Sequence, residues 1–215
     1  MNCVSLICTV HDEVGLANVS ELRAVLERVR PEVIFLEVPL AALDDYYVIC
    51  SRSNLESLAV RTYRENRPVK LVPVDLPTPE AEFFEKVDYL HRRIRAESPE
   101  YRQLMARDTA CMRAHGFAYL NSEDCSSLWS DAYMEMLSTI RRLDDATLME
   151  IFDSWKETID HRENEMMKNV QEYCRANTFD VGVFLVGAAH RQPIIDKSRE
   201  ELSIDSNMRW DFSAR

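Results

Sequence analysis

Four ionisable side chains lie at the ends of apolar segments in this sequence. They are His11, Glu37, Asp75 and His190, and the apolar segments cover residues 3–10, 33–38, 69–74 and 181–186. Two imidazoles and two carboxylates form a ligand set that suits a hard-to-borderline divalent metal. The alternative is structural, because polar residues end most strands and a single histidine is more often a satisfied structural residue than a ligand. Glu37 favours a shared site, since it interrupts an apolar segment and a carboxylate is rarely buried without a partner.

A fifth candidate, Arg162, comes from the helical pattern of residues 146–175. Apolar residues recur there at spacings of three and four and predict one long helix with a buried stripe: Leu148, Phe152, Trp155, Ile159, Met166, Val170 and Tyr173. Arg162 falls in a gap of this stripe, and a guanidinium on a buried face requires an anion. The anion is either a protein carboxylate, Glu37 or Asp75, or the negative charge that develops on a substrate. The sequence leaves both interpretations open.

The elements that position these residues follow from the apolar pattern. Each of the four apolar segments is nearly continuous, as is typical of strands buried on both faces of a parallel sheet. Helices are predicted at 19–29 and 54–65, so the first 75 residues have the order β-α-β-α-β with right-handed crossovers. Residues 79–177 are predicted to be helical throughout, followed by a strand, a helix at 193–202 and an edge strand at 208–212.

This order predicts a single α/β domain over residues 1–215. It has a mainly parallel central sheet flanked by helices, with a helical insertion at about 79–177 that covers one end of the sheet. Ligands bind outside the carboxyl ends of the strands in open parallel sheets. The four strand-end side chains are therefore expected to share one crevice.

Composition disfavours several classes of function. The chain has only four glycines and contains neither GxGxxG nor GxxxxGK[ST], so we expect no nucleotide cofactor. Gly116 fits a helix C′ position, and Gly187 begins the segment that ends at His190. The 26 lysines and arginines against 37 acidic residues give a net charge of −11, which repels duplex DNA and anionic membranes. We therefore expect no nucleic-acid partner.

Cysteine usage and the N-terminal sequence bear on location. The six cysteines form no CxxC pair, and the first residues lack the basic region of a signal peptide. No segment approaches the ~20 apolar residues of a membrane span. These features predict reduced thiols in a cytoplasmic protein with no membrane partner. The oligomeric state is left open, a homo-oligomer included.

The motifs around the candidates resemble those of a known family. The segments RPEVIFLEVP, VDLP, HRENEMMKNV and FLVGAAHRQPI occur in that order along the chain. This pattern is similar to the TraB/Tiki group of the erythromycin-esterase/ChaN-like superfamily, which has two GxxH motifs, a Glu after the first helix and an Arg in a late helix. The family positions correspond here to His11, His190, Glu37 and Arg162. The first motif departs from the family, because Cys8 stands where the family has glycine.

The resemblance implies an α/β fold with two histidines facing each other across the sheet. It also implies a metal-dependent hydrolase of peptide, amide or ester bonds with a small-molecule or peptide substrate. In this interpretation three residues bind Mn, Co or Zn, or activate water: His11, Glu37 and His190. Asp75 orients a histidine, and Arg162 holds the oxyanion or a substrate carboxylate. Two alternatives stay open: metal-free hydrolysis with His11 as general base, and a non-catalytic small-ligand binding or regulatory module on the same fold.

Overall fold

The computed structural model describes residues 1–201 and 207–213 and has a five-stranded sheet at its centre. The strands are β1 (Asn2–Thr9), β2 (Val33–Pro39), β3 (Lys70–Asp75), β4 (Val181–Gly187) and β5 (Met208–Asp211). Every neighbouring pair is parallel, and the spatial order is β3-β2-β4-β1-β5. The predicted α/β class with a parallel central sheet is confirmed. Each strand begins and ends within one residue of its predicted position.

Helices flank this sheet. Those of the described residues are α1 (Val19–Val29), α2 (Leu43–Tyr47), α3 (Leu55–Arg64), α4 (Ala81–Glu97), α5 (Pro99–Leu120), α6 (Glu123–Leu143), α7 (Ala146–Ala176) and α8 (Arg191–Glu201). The helical insertion consists of α4–α7, and the sequence prediction did not include the short α2. Helix α8 begins two residues before its predicted start, and its predicted end at 202 lies outside the described residues. In the described part of the chain, none of the helices combines the length and apolarity that crossing a bilayer requires.

The start of α3 is fixed by its own sequence. Asn54 and Ser57 form a reciprocal capping box, with hydrogen bonds of 2.8 and 2.9 Å. The backbone N–H of Leu55 then donates to the carbonyl oxygen of His11 at 2.8 Å. The first turn of α3 also carries Glu56, which is buried. The cap therefore places Glu56 beside the segment that follows β1.

The buried apolar residues form two clusters. The larger one surrounds the sheet and includes the strand interiors with residues of α1, α3, α7 and α8. The smaller one lies among α4–α7 and consists of Leu90, Ile94, Tyr101, Ala132, Met136, Ile140, Leu148 and Phe152. The helical insertion thus has an apolar core of its own. Helix α7 joins the two clusters, because its first half packs in the smaller one and its second half packs in the larger one.

Two glycines let the loop after β1 pack closely on α5. The backbone N–H of Leu16 donates to the carbonyl oxygen of Arg113 at 3.1 Å. A Cβ atom at Gly15 would lie 2.6 Å from the Arg113 backbone, and one at Gly116 would lie 2.5 Å from the Leu16 carbonyl oxygen. Gly116 has a φ of 52° at a kink where two helical segments of α5 meet, which agrees with its predicted position at a helix end, although a second segment follows it directly. It is a glycine because a side chain there meets both backbone strain and a steric clash.

Asn121, between α5 and α6, binds the edge of β1. The backbone N–H of Cys8 donates to Asn121 Oδ1 at 2.7 Å, and Asn121 Nδ2 donates to the Cys8 carbonyl oxygen at 3.1 Å. Strand β5 pairs only with residues 2–5 of β1, so the Asn121 side chain bonds a part of β1 that β5 does not reach. The two bonds fix the helical insertion to the sheet three residues before His11.

Candidate functional site

The strand order brings the four strand-end side chains to one edge of the sheet. Because β3, β2, β4 and β1 are consecutive neighbours, their ends present, in spatial order, Asp75, Glu37, His190 and His11. All four side chains and Arg162 of α7 line one cavity of about 350 Å³. The structure thus brings together the five side chains that the sequence analysis identified.

Glu37 lies at the centre of the charged groups. Its Oε1 accepts a hydrogen bond from Arg162 Nη2 at 2.8 Å and lies 3.3 Å from His190 Nε2. Its Oε2 accepts the backbone N–H of Gly187 at 2.7 Å. Burial alone would raise the pKa of the Glu37 carboxyl, but His190, Arg162 and the Gly187 N–H outweigh burial and hold this pKa well below its ordinary value. Glu37 is therefore an ionised carboxylate with both oxygens engaged.

Arg162 binds two carboxylates at once. Besides Glu37, it contacts Asp75 through Nε at 3.1 Å and through Nη2 at 2.6 Å. The prediction that Asp75 orients a histidine is therefore wrong in this structure. Its strand, β3, is separated from β4 by β2, which places the two strand ends ~10 Å apart. Asp75 reaches the guanidinium of α7 instead, so the anions required by Arg162 are both protein carboxylates.

Each of the two histidines is held by a glutamate that the sequence analysis did not identify. His190 Nδ1 lies 2.8 Å from Glu163 Oε1, and His11 Nδ1 lies 3.1 Å from Glu56 Oε1. The hydrogen bond with Glu56 raises the pKa of His11 to about 9 against the effect of burial. Burial lowers the pKa of His190, but Glu37 and Glu163 outweigh it and raise this pKa to about 9. Both imidazoles are therefore mostly protonated at neutral pH.

The two glutamates gave unequal signals in the sequence. Glu163 lies four residues after Ile159 and three before Met166, so it belongs to the apolar stripe of α7 as much as Arg162 does. It is 2% exposed, and Lys197 Nζ lies 3.1 Å from its Oε2. Glu56 gave no such signal, because it lies in the first turn of a helix where acidic residues are common. Its burial follows from the packing of α3 beside β1, which local sequence does not specify.

A second part of the cavity wall comes from the helical insertion and, apart from Arg162, carries no charged side chain among the described residues. It includes side chains of α4, α6 and α7: Phe83, Phe84, Val87, His91, Trp129, Tyr133, Trp155, Thr158 and Ile159. His91, which the sequence analysis did not place in a site, bonds Tyr101 through Nδ1 at 3.1 Å and meets the Trp155 ring edge-on at 5.0 Å. Burial lowers the pKa of His91, so this imidazole is neutral.

The arrangement of Glu37 does not fit a metal held by the predicted ligands His11, Glu37 and His190. Both Glu37 oxygens already accept hydrogen bonds from N–H donors, and a metal ion would have to displace the positively charged Arg162. Within residues 1–201 and 207–213, no group of three or more His, Cys, Asp or Glu side chains is arranged to hold a metal ion. These three side chains instead form ion pairs within the protein: Glu37 with Arg162, His190 with Glu163, and His11 with Glu56.

Cys8, three residues before His11, lies inside the protein. It is fully buried on β1, and burial raises the pKa of its thiol to about 12. A neutral, enclosed thiol is a poor nucleophile. The backbone of Cys8 is bonded by Asn121, which holds the end of the strand that leads to His11.

No family model matches the chain, and no curated protein matches it. The chain is similar to a protein from Bacillus cereus of known crystal structure, with 9% sequence identity and a TM-score of 0.36. The similarity covers 97% of this chain and 64% of that protein, so this chain spans less than two thirds of its length. Similarity at this level carries no argument about function.

Proposed function

We propose that the chain is a cytoplasmic hydrolase of ester or amide bonds in small molecules or peptides, with His11 as general base. The observation that carries the proposal is the pair formed by His11 and Glu56 at the cavity. Glu56 holds Nδ1 of His11, while Nε2 makes no hydrogen bond with any described residue and is free to accept a proton. A buried carboxylate orients a catalytic imidazole in the same way in serine hydrolases. The order of motifs shared with the TraB/Tiki group supports the same class of reaction.

In the proposed reaction, water attacks the substrate carbonyl carbon. The new C–O bond forms as His11 Nε2 takes a proton from the water, and the carbonyl electron pair moves onto its oxygen. Arg162 lines the same cavity, and its Nη1 is used by neither Glu37 nor Asp75, so it can stabilise the oxyanion. The bond to the leaving alcohol or amine then breaks, and His11 returns its proton to that group. The products are a carboxylic acid and an alcohol or amine.

The other charged groups position this machinery. Glu37 and Asp75 hold the guanidinium of Arg162 through three hydrogen bonds. His190 lies between Glu37 and Glu163 and keeps the Glu37 carboxylate in place. The network is assembled before a substrate enters, so no reorganisation is needed during the reaction.

The pKa of His11 sets the pH dependence of the reaction. A general base must be neutral, and with a pKa of about 9 His11 is neutral only at alkaline pH. We therefore expect kcat/KM to rise with pH and to level off above about pH 9.

The test is a panel of peptide, ester and lactone substrates assayed between pH 7 and pH 10, with and without a chelator. We expect His11→Gln to reduce kcat about 10³-fold, since a general base contributes 10²–10⁴. Glu56→Gln should reduce kcat less and move the pH midpoint toward 6.5, because the hydrogen bond that raises the His11 pKa is weakened. His115→Gln is the matched control, as His115 is exposed on α5 and lies outside the cavity.

Two outcomes would overturn the proposal in different ways. If His11→Gln hydrolyses the substrates as the unchanged protein does, His11 is not the general base. Loss of activity with chelator, restored by Mn, Co or Zn, would instead favour the metal-dependent hydrolase, in which Arg162 releases Glu37 to a metal ion at His11, Glu37 and His190.

A second candidate function is a non-catalytic small-ligand binding or regulatory module. The observation that favours it is the bonding of Arg162 to both Glu37 and Asp75, which commits three of its N–H···O contacts to the protein. A binding module should bind a small ligand in the cavity by calorimetry without converting any substrate of the panel. Turnover that depends on His11 would exclude it.

A further inference from the structure

The uncharged wall of the cavity is built from aromatic rings that contact one another. Tyr133 lies 6.0 Å from Trp129 and 5.6 Å from Trp155, and Trp155 lies 5.0 Å from His91, all between ring centroids. These residues come from three helices, α6, α7 and α4, and all four are only partly buried. Their rings therefore pack against each other and also border the open cavity.

This wall presents hydrogen-bond donors without a protein partner. The Trp129 and Trp155 indole N–H groups and the Tyr133 hydroxyl make no hydrogen bond with any described residue, and none of them is an orphaned group enclosed by protein. Trp and Tyr at a solvent-accessible wall combine a large apolar surface with a polar tip. His91 adds no charge, because burial keeps it neutral. Lys156 Nζ lies 4.1 Å from the Tyr133 ring centroid, so one face of Tyr133 already has a cationic partner. The aromatic surface that remains suits a flat group better than an aliphatic chain.

Helix α7 sets the distance between this wall and the charged groups. Trp155, Ile159 and Arg162 all line the cavity and lie on one face of the helix. Trp155 and Arg162 are about two turns apart, or ~10 Å along the axis. A group that packs against Trp155 can therefore reach toward Arg162 along the same helix face through a short spacer.

We propose that the substrate is an ester or amide whose acyl group carries a planar aromatic ring on a short spacer. The ring packs against Trp155 and Tyr133, and the carbonyl group lies between His11 and Arg162. This inference rests on the proposed hydrolase function, whose reaction it does not alter. It assigns Trp155 and Tyr133 as specificity-determining residues.

The first experiment measures binding without turnover. Calorimetric titration compares 3-phenylpropionate, the acid product of such an ester, with 3-cyclohexylpropionate, which has the same carbon skeleton but no planar ring. We expect at least tenfold tighter binding of the phenyl acid. Trp155→Leu should abolish this preference and Trp155→Phe should keep most of it, because phenylalanine retains an aromatic face. Tyr89→Leu, an exposed residue of α4 outside the cavity, should bind as the unchanged protein does.

The second experiment measures hydrolysis of the methyl esters of the same two acids. The inference is supported if kcat/KM is higher for the phenyl ester and this preference disappears in Trp155→Leu. The two variants, Trp155→Leu and Trp155→Phe, should have the same Tm, so that the loss is not due to unfolding. Hydrolysis of both esters at equal rates would overturn the inference and leave the hydrolase function standing. Selective, Trp155-dependent binding of the phenyl acid with no hydrolysis of either ester would refute the hydrolase function and the substrate class, and would leave Trp155 as part of a site that binds aromatic acids. Equal binding of the two acids and no hydrolysis would refute both.

Discussion

The two walls of the cavity are built on different physical principles. On the sheet wall, ionisable groups are fixed by partners of opposite charge, in the pairs Glu37–Arg162, Asp75–Arg162, Glu163–His190 and Glu56–His11. On the helical wall, rings from three helices touch one another, and Arg162 is the one charged side chain that the helical insertion contributes to the described lining residues. Removing one member of a buried ion pair costs about 3–5 kcal/mol, whereas an aromatic pair contributes about 1 kcal/mol beyond its buried area.

This difference indicates a division of roles. Four of the charged groups are positioned at or just after the ends of adjacent strands, whose spacing is fixed by backbone hydrogen bonds, and their partners come from α7 and α3. The rings are positioned by side-chain packing within a separate apolar core, which tolerates exchange of one apolar residue for another. We infer that the sheet wall fixes the chemistry, while the helical wall is the part where selectivity can change.

The largest expected effect tests the sheet wall directly. Arg162→Met leaves the largely buried Asp75 carboxylate without a cation and leaves Glu37 with His190 as its only cationic partner among the described residues. We expect the free energy of unfolding in urea to fall by about 3–5 kcal/mol, together with loss of hydrolysis. Arg107→Met, on an exposed position of α5, is the control. A loss below about 1 kcal/mol would show that the sheet wall is not held by this network.

The next effect tests the contact between the two regions. Gly116→Ala forces a side chain into a backbone with φ of 52° and into the Leu16 carbonyl oxygen, so we expect a loss of about 2–3 kcal/mol in thermal or urea unfolding. Gly187→Ala is the matched comparison. Its new Cβ would meet Glu37 and His190 only at 3.5 and 3.6 Å, which is ordinary contact, so the loss should stay below about 1 kcal/mol. Equal losses would contradict the close packing of the loop on α5.

The pH dependence of stability should have opposite signs on the two walls. The folded-state pKa of both His11 and His190 is raised to about 9, so their contribution is complete below about pH 6.5 and is lost as the pH rises through 9. Burial lowers the pKa of His91, so the folded protein keeps this imidazole neutral where the unfolded chain takes up a proton. Stability therefore falls as the pH drops below about 6.5. We expect the free energy of unfolding to drop by about 2 kcal/mol between pH 7 and pH 10, mostly from the buried His190, because the His11 side chain is 65% exposed and solvent screens its pair with Glu56.

Variants separate the two pH effects. His91→Phe should flatten the acid side of the stability profile and leave the alkaline side unchanged. His190→Gln should reduce the alkaline drop. A profile that is flat from pH 7 to pH 10 in the unchanged protein would mean that the histidine–glutamate pairs do not stabilise the sheet wall.

The smallest expected effect concerns the support of Glu163. Lys197 Nζ lies 2.6 Å from Asp160 Oδ1 and 3.1 Å from Glu163 Oε2, with the lysine partly exposed. We expect Lys197→Met to lower the free energy of unfolding by about 1 kcal/mol, because His190 remains as a cation beside Glu163. Lys168→Met, which removes an exposed pair with Glu165, should have no measurable effect. If Lys197→Met lowered the free energy of unfolding as much as Arg162→Met does, Lys197 would be as important to the charged side chains of the cavity as Arg162.

The strands were predictable because their positions depend on local apolar continuity, but their order was not. Strand β4 inserts between β2 and β1 although about 140 residues separate it from β2 in the chain, and pairing over such a distance leaves no local pattern. The helical segment that follows Gly116 directly was not predictable for a related reason. A glycine with positive φ is compatible with the end of a helix or with a break inside one, and the contact with Leu16 decides which.

The candidate site was predictable where a residue broke a pattern. Glu37 interrupts a buried strand, and Arg162 interrupts a helical stripe. Glu56 and His91 break no pattern, because polar residues are expected in the first turn of a helix and on a half-exposed helical face. Their presence at the cavity depends on how α3 and α4 pack on the sheet, which tertiary contacts decide.

The bond between Asn121 and Cys8 has a consequence for association with other chains. Unpaired backbone groups on a strand are a template for a strand from another molecule, and such pairing leads to aggregation. At Cys8, both the N–H and the carbonyl oxygen are occupied by the Asn121 amide. An incoming strand therefore finds neither donor nor acceptor at Cys8, where β5 no longer covers β1. A single side chain thus shields this part of the strand from intermolecular pairing.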